Sequence, residues 1–250
     1  MKRNKMNVTK RVKIVITLLL VFLFQQLSSK IGTYAANIFD YSTIDKYDVF
    51  ARISVHHIVQ AIIALILITL LSKTYNIDFG IKLGDKKTGI KHVKIFIVAM
   101  LAYIAILSVI SYLGNQIMQY DYPLSCVNVL GTLGFQLFLS GPSEEILFRA
   151  LPITIITCVI PSEKGIKIFK QHISWANVIS AIFFALAHVK WMVNPFSLSV
   201  DYMQLLFSFV LGIFYGILYQ KSKSVIYPMI MHSFTNVAVV GAGYILYLIQ

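Results

Sequence analysis

Two adjacent glutamates, Glu144 and Glu145, lie inside an apolar stretch and are two of only three glutamates in the chain. An ionised carboxylate is costly in hydrocarbon, so acidic residues inside a membrane segment usually mark a functional site. Glu145 and Arg149 are one helical turn apart in the order that favours an ion pair, which predicts a structural role for that pair. Glu144 points to another side of the helix. We therefore expect Glu144 to do the chemistry, as a partly desolvated carboxylate that acts as a general base.

Two histidines farther along the chain also lie in apolar segments. His188 follows Phe184 by four residues and His232 precedes Asn236 by four, so each pair occupies one face of a helix. A single histidine inside a membrane is often only a hydrogen-bond partner between helices. Together with Glu144, the two imidazoles could supply a general base and its orienting group, or part of a metal site. Asn236 could donate to an oxyanion.

The remaining histidines give weaker signals. His56 and His57 stand together near the start of an apolar run, and His92 and His172 lie in lysine-bearing segments. These surroundings are typical of the membrane–water boundary, so we predict interfacial roles for all four.

The composition is that of a membrane protein. The chain is 58% hydrophobic and 13% charged, whereas soluble domains average roughly 45–50% and about 25%. The net charge is +12, but the basic residues are grouped between apolar runs and form no patch interleaved with aromatic residues, which excludes nucleic acid as a partner. Cys126 and Cys158 both fall in apolar stretches and are predicted to be buried free thiols.

The elements that must position these residues are membrane helices. We predict an all-α polytopic transmembrane helix bundle of about seven spans, with six to eight possible. The run at 125–160 is too long for one upright span, and we expect a tilted or broken helix around Gly141-Pro142. The first run is expected to be a retained anchor helix rather than a cleaved signal. The apolar runs lie at residues 12–31, 53–71, 93–113, 125–160, 175–192, 203–220 and 225–249.

The basic residues predict the orientation of this bundle. With the N-terminus in the cytoplasm, the inside segments hold 17 lysines and arginines and the outside segments hold four. Such an excess on one side is typical of cytoplasmic loops. We expect residues 1–120 to form N-terminal spans with basic cytoplasmic loops, and residues 121–250 to form a catalytic membrane core.

Three motifs in order resemble one known family. The resemblance is to the CPBP family, the CAAX proteases and bacteriocin-processing enzymes also called Abi, and it covers about residues 125–240. One departure is Ala150, where a glycine is common, and it affects packing rather than chemistry. The motifs are Glu144-Glu145-x-x-x-Arg149, Phe184-x-x-x-His188 and His232-x-x-x-Asn236.

The resemblance implies an intramembrane endopeptidase with a helical fold. By position, Glu144 would activate the hydrolytic water with help from His188, and His232 and Asn236 would bind the oxyanion. Glu145 and Arg149 would hold the geometry, supported by Phe184. The family is also described as metalloproteases, in which Glu144, His188 and His232 would bind zinc, a ligand set that suits a catalytic zinc ion with one open position.

The function is thus expected to be hydrolysis of a membrane-associated peptide, either a bacteriocin or pheromone precursor or a prenylated CAAX-type C-terminus. Two alternatives remain: a non-catalytic immunity or scaffolding protein of the same shape, and a proton-coupled transporter, since membrane acids and histidines also relay protons. The lysine-, isoleucine- and asparagine-rich usage indicates a bacterium. With the apolar runs, it predicts a multi-pass protein of a bacterial cell membrane, whose expected partners are its peptide substrate and the lipid bilayer.

Overall fold

The computed structural model describes residues 8–168, 170–193 and 196–250. Residues 1–7, which hold three of the basic residues predicted to be cytoplasmic, lie outside this range. The N-terminal half of the chain forms three long apolar helices, which are α1 (Val8–Ala36), α2 (Ala51–Tyr75) and α3 (Lys86–Leu113).

A buried carboxylate fixes the start of α2. Asp45, in the loop after α1, accepts backbone amide bonds from Val49, Phe50 and Ala51 at 2.9, 2.7 and 2.7 Å. The first amides of a helix have no partner within it, and an acidic side chain satisfies them well. Burial raises the pKa of Asp45, but the three amide donors outweigh it and the pKa lies below its ordinary value. The loop thereby sets where α2 begins.

The apolar run after residue 125 forms one helical unit made of five parts, which we call the segmented helix. Two π-helical segments interrupt its α-helical parts. It is 34 residues long, or about 50 Å at about 1.5 Å per residue, longer than a bilayer core of about 30 Å. The parts are α4 (Cys126–Phe135), a π segment (Gln136–Ser140), α5 (Gly141–Glu145), a second π segment (Ile146–Ala150) and α6 (Leu151–Val159).

Two prolines explain the π segments. Pro142 and Pro152 each occupy the second position after a π segment. Proline has no amide hydrogen, and its ring clashes with the carbonyl four residues earlier, so the preceding turn must open. The break expected at Gly141-Pro142 is thus a widened turn in a continuous helix, and a second widened turn precedes Pro152.

Side chains from neighbouring helices satisfy the carbonyls that Pro152 leaves without a donor. Gln25 of α1 donates to the carbonyl of Leu147 at 3.0 Å, and the Ser180 hydroxyl donates to the carbonyl of Phe148. Buried carbonyls need such partners. The second π segment is therefore tied to two other helices, and the main apolar core surrounds it.

Three further helices complete the bundle: α7 (Trp175–Ala187), α8 (Tyr202–Ser222) and α9 (Ile226–Leu248). The α7–α8 pair packs closely because Gly212 and Gly216, four residues apart, present no side chain. Gly212 faces Ala181, and Gly216 faces Asn177. Small residues at this spacing let membrane helices approach each other.

The span predicted at 175–192 is wrong in its extent. Helix α7 ends at Ala187 and has 13 residues, which cover about 20 Å at about 1.5 Å per residue. Two antiparallel hairpins flank it, in segments for which we predicted no strands. They pair β1 (Gly165–Ile168) with β2 (Gln171–Ser174), and β3 (Lys190–Val193) with β4 (Phe196–Ser199).

The predicted all-α membrane bundle is confirmed. With the segmented helix counted once, the described part of the chain contains seven helices, and five of them are long and apolar enough to cross a membrane. The prediction of buried thiols is wrong, because Cys126 and Cys158 are both free and exposed at opposite ends of the segmented helix. The cytoplasmic N-terminus and the division at residue 120 stay predictions.

Candidate active site

The acid pair lies in α5, between the two widened turns. Gly141 brings this segment against α9, because a side chain there would meet the backbone nitrogen and hydroxyl of Ser233 and the carbonyl of Met229. Glu145 is fully buried, whereas the side chain of Glu144 is 16% exposed. The close crossing therefore places one glutamate in the core and the other at a cavity.

The Glu145 carboxylate contacts both the Arg149 guanidinium and the His232 imidazole. Its Oε2 lies 3.3 Å from Nε of Arg149, and its Oε1 lies 2.8 Å from Nδ1 of His232. The Arg149 guanidinium is also fully buried and lies 4.1 Å from the ring centre of Phe184 and 5.6 Å from that of Tyr215. The faces of these rings attract the cation. The predicted Glu145–Arg149 ion pair is present, and it extends to an imidazole.

Glu144 meets imidazoles from two other helices. Its Oε1 lies 3.0 Å from Nε2 of His57 on α2, and its Oε2 lies 3.6 Å from Nε2 of His232 on α9. The groups form a chain across the bundle, because His232 joins Glu144 to Glu145. Two helices that are distant in sequence from α5, α2 and α9, thus contact the two carboxylates.

The second nitrogen of each imidazole fixes its orientation. Nδ1 of His57 lies 2.9 Å from the carbonyl of Ile53, and Nδ1 of His188 lies 2.9 Å from that of Phe184. A carbonyl only accepts hydrogen bonds, so these Nδ1 atoms carry a proton. In both rings, Nε2 is therefore the nitrogen whose protonation can change. In His232, the Glu145 carboxylate has the same effect on Nδ1.

His188 and Asn236 face the same cavity as Glu144. This cavity has a volume of about 290 Å³, and its lining includes Glu144, His188, His232 and Asn236. Asn236 donates to the Ser140 hydroxyl at 3.0 Å, which leaves one amide hydrogen of its side chain for another acceptor. All four residues predicted to be catalytic therefore surround one space.

A second cavity of about 770 Å³ adjoins the first and extends between α1, α2 and α7. Ile53, His57, Glu144 and His188 line both cavities. The second cavity is also lined by polar side chains of α1 and α2, among them Gln25 and Gln60. Glu144 therefore lies between this wider cavity, whose polar groups could bind water, and the narrower one.

Glu144, His188 and His232 are the residues that the sequence predicted as possible zinc ligands. Among the residues that the structure describes, no group of three or more His, Cys, Asp and Glu side chains is arranged to hold a metal ion. Oε2 of Glu144 lies 3.6 Å from Nε2 of His232, and Nδ1 of His188 is bonded to a carbonyl, which leaves Nε2 of His188 as its ligand nitrogen. The contacts among these residues are pairwise, and a zinc ion held by them stays a prediction.

The interfacial role predicted for His57 is wrong. The residue is 7% exposed and bonded to Glu144. A sequence signal exists, since His57, Gln60 and Ala64 are spaced as one face of α2 and all three are buried. Two polar residues on one face of an apolar helix indicate a face turned away from lipid.

The bundle and its site define an integral membrane protein with paired acids and imidazoles around an internal cavity. Residues 127–238 match the sequence model of one family, described as type II CAAX prenyl endopeptidase Rce1-like. The match spans just under half of the chain, includes all three motifs and confirms the resemblance to the CPBP family. It supports a CAAX-type intramembrane endopeptidase. Comparisons with curated proteins and with solved structures gave no match.

Proposed function

We propose that the protein hydrolyses a peptide bond of a membrane-associated substrate, with Glu144 as the general base. The observation that carries this proposal is the partly exposed Glu144 side chain, which lines a cavity together with His188, His232 and Asn236. A general base must lie within reach of the water that it deprotonates. Glu144 combines that access with an otherwise buried setting.

The first step is attack by water. A water molecule held between Glu144 and Nε2 of His188 gives a proton to the carboxylate, while its oxygen bonds to the scissile carbonyl carbon. The carbonyl becomes an oxyanion. The proton then passes from Glu144 to the amide nitrogen as the carbon–nitrogen bond breaks, which yields a carboxylic acid and an amine.

The oxyanion would receive hydrogen bonds from His232 and Asn236. Asn236 has one amide hydrogen left after its bond to Ser140. Donation from Nε2 of His232 requires a ring that is protonated at both nitrogens, because Nδ1 already donates to Glu145. The two flanking carboxylates compensate the positive charge of that ring. Removing one donor of this kind typically lowers kcat by about 10²–10³.

The substrate class follows from the family description and the site's position among membrane helices. We propose a peptide with a prenylated CAAX-type C-terminus as the first candidate and a bacteriocin or pheromone precursor as the second. A lipid-anchored or membrane-inserted chain reaches a cavity of this kind without leaving the bilayer. The lysine-, isoleucine- and asparagine-rich composition supports a bacterial cell membrane as the location.

The test is cleavage of farnesylated peptides and of membrane peptide precursors by the purified protein in detergent. Glu144→Gln should lower the rate by about 10²–10⁴, the usual contribution of a general base. The matched control is Glu163→Gln, which alters the third glutamate in an exposed loop and should leave the rate unchanged. Neither rate should change when a zinc chelator is added.

Other outcomes identify the alternatives. Cleavage that Glu144→Gln leaves intact would contradict the proposed base, and a rate abolished by the chelator would establish a metal enzyme. Protection against a bacteriocin that persists in Glu144→Gln cells would favour an immunity protein. Solute accumulation in sealed vesicles that survives replacement of His188 and His232 would favour a transporter.

A further inference from the structure

We infer that His57, on α2, is a positioning residue of the hydrolytic site, which fixes one oxygen of Glu144 so that the other lies on the side of His232, in the cavity that they share with His188 and Asn236. This inference rests on the proposed function. His57 lies outside residues 127–238, which match the family model. A positioning role for His57 would therefore make α2, one of the N-terminal helices, part of the site.

The His57 ring is fixed on three sides. Nδ1 is bonded to the carbonyl of Ile53 at 2.9 Å, and Nε2 lies 3.0 Å from Oε1 of Glu144. The ring also packs edge-on against Phe135, with the ring centres 4.9 Å apart. A histidine that only filled space in the core would not need an acidic partner. Here the only nitrogen left free by the carbonyl is aimed at the proposed base.

The consequence for Glu144 is orientational. A carboxylate on a flexible side chain can turn either oxygen toward a water molecule. With Oε1 held by His57, Oε2 remains on the side of His232 at 3.6 Å. Catalytic groups have to be held within about 0.5 Å of the productive geometry by the residues behind them. His57 supplies that support from a separate helix.

The expected signature is a loss of kcat without a comparable change in KM. A misplacement of about 1 Å can cost about 10²-fold in rate, so His57→Ala should lower kcat by roughly 10- to 100-fold. His57→Gln should restore much of that loss, because the glutamine amide nitrogen can take the place of Nε2 and donate to Glu144. A merely structural histidine would not show recovery with this one replacement.

His92 offers a matched control within the same chain. It lies on α3, and its Nδ1 is bonded to the carbonyl of Thr88, four residues earlier, at 2.8 Å. This is the same bond that His57 makes to Ile53, but in the part of the chain that the structure describes no acidic side chain contacts the other nitrogen of His92. His92→Ala should therefore leave kcat and KM unchanged.

The experiment measures kcat and KM of the full-length protein in detergent for His57→Ala, His57→Gln and His92→Ala. Thermal unfolding is measured for His57→Ala, Glu144→Gln and the double variant. Non-additive shifts in the unfolding temperature would support the His57–Glu144 contact whether or not a substrate has been found. Additive shifts would overturn the inference.

The kinetic results separate this inference from the proposed function. If Glu144→Gln abolishes cleavage and His57→Ala keeps the wild-type kcat, the role of His57 is wrong and the general base stands. If the two glutamine variants His57→Gln and Glu144→Gln both cleave at the wild-type rate, the proposed base is wrong. A kcat that falls in His57→Ala and recovers in His57→Gln supports both.

Discussion

Glu145 illustrates how one buried residue serves two purposes. Its carboxylate has one oxygen at Arg149 and the other at His232, and none of the three side chains is more than 7% exposed. A carboxylate removed from water needs both charge compensation and hydrogen bonds. The arginine supplies the first, and the imidazole makes the same carboxylate part of the site. The residue therefore links the stability of the core to the orientation of a proposed oxyanion donor.

Charge removal at this pair should separate stability from activity. Arg149→Met leaves the Glu145 carboxylate buried without its cation and should destabilise the protein by about 3–5 kcal/mol. Adding Glu145→Gln removes both charges and should recover part of that loss. Cleavage should stay at least about tenfold lower, because a neutral amide does not compensate a protonated His232. Thermal unfolding and peptide cleavage measured on the same preparations test both expectations.

The single variant Glu145→Gln is the control for the double variant. It keeps an acceptor for Nδ1 of His232 and leaves Arg149 buried without a counter-ion. Full activity in the double variant would contradict the proposed link to His232 and would limit Glu145 to its pair with Arg149.

At the scale of elements, the segmented helix decides where the acids lie. The sequence predicted a disturbance at Gly141-Pro142 but not the widened turn before Pro152. That second turn depends on Gln25 and Ser180, which donate to its open carbonyls from α1 and α7. Donors that arrive from other helices are not visible in the local sequence. A proline in a helix indicates an interruption, but the tertiary contacts determine its form.

Two glycines of the segmented helix allow a direct test of the crossing with α9. An alanine at Gly141 would bring its Cβ within 2.5 Å of the Ser233 hydroxyl and 2.8 Å of its backbone nitrogen. Gly141→Ala should therefore push α9 away, weaken the His232–Glu145 contact and lower both the unfolding temperature and kcat. Gly134 has no atom within 4 Å of such a Cβ. Gly134→Ala should leave activity unchanged and stabilise the helix by up to about 1 kcal/mol.

The comparison is read from unfolding temperatures and cleavage rates of the two alanine variants in one detergent. Equal behaviour of the two variants would show that the Gly141–Ser233 approach does not determine the position of His232. A loss confined to Gly141→Ala would identify the close crossing as the feature that sets the site.

At the scale of the whole molecule, the spacing and polarity of residues predicted the helices and the Glu145–Arg149 pair. They did not predict that α2 packs beside Glu144. The pair is local, since four residues separate its members. The His57–Glu144 contact joins residues 87 positions apart, and it depends on how α2 packs against α5. The only sequence signal for this contact was that two polar residues, His57 and Gln60, lie on one face of the apolar helix α2. The early end of α7 was missed for a different reason, because the last residues of that apolar run pair locally in the β3–β4 hairpin instead of continuing the helix.

The two native cysteines provide a test of orientation for the whole bundle. Cys126 begins the segmented helix and Cys158 lies near its end, and both are exposed. With a cytoplasmic N-terminus and α1 to α3 each crossing once, Cys126 lies on the outside and Cys158 on the cytoplasmic side. In intact cells a membrane-impermeant maleimide should label Cys126, and Cys158 should react only after permeabilisation. Cys126→Ser and Cys158→Ser assign each signal, since the chain has two cysteines. Reversed labelling would show that the bundle has the opposite orientation. Labelling of both cysteines from one side would show that the segmented helix is a re-entrant element instead of a span.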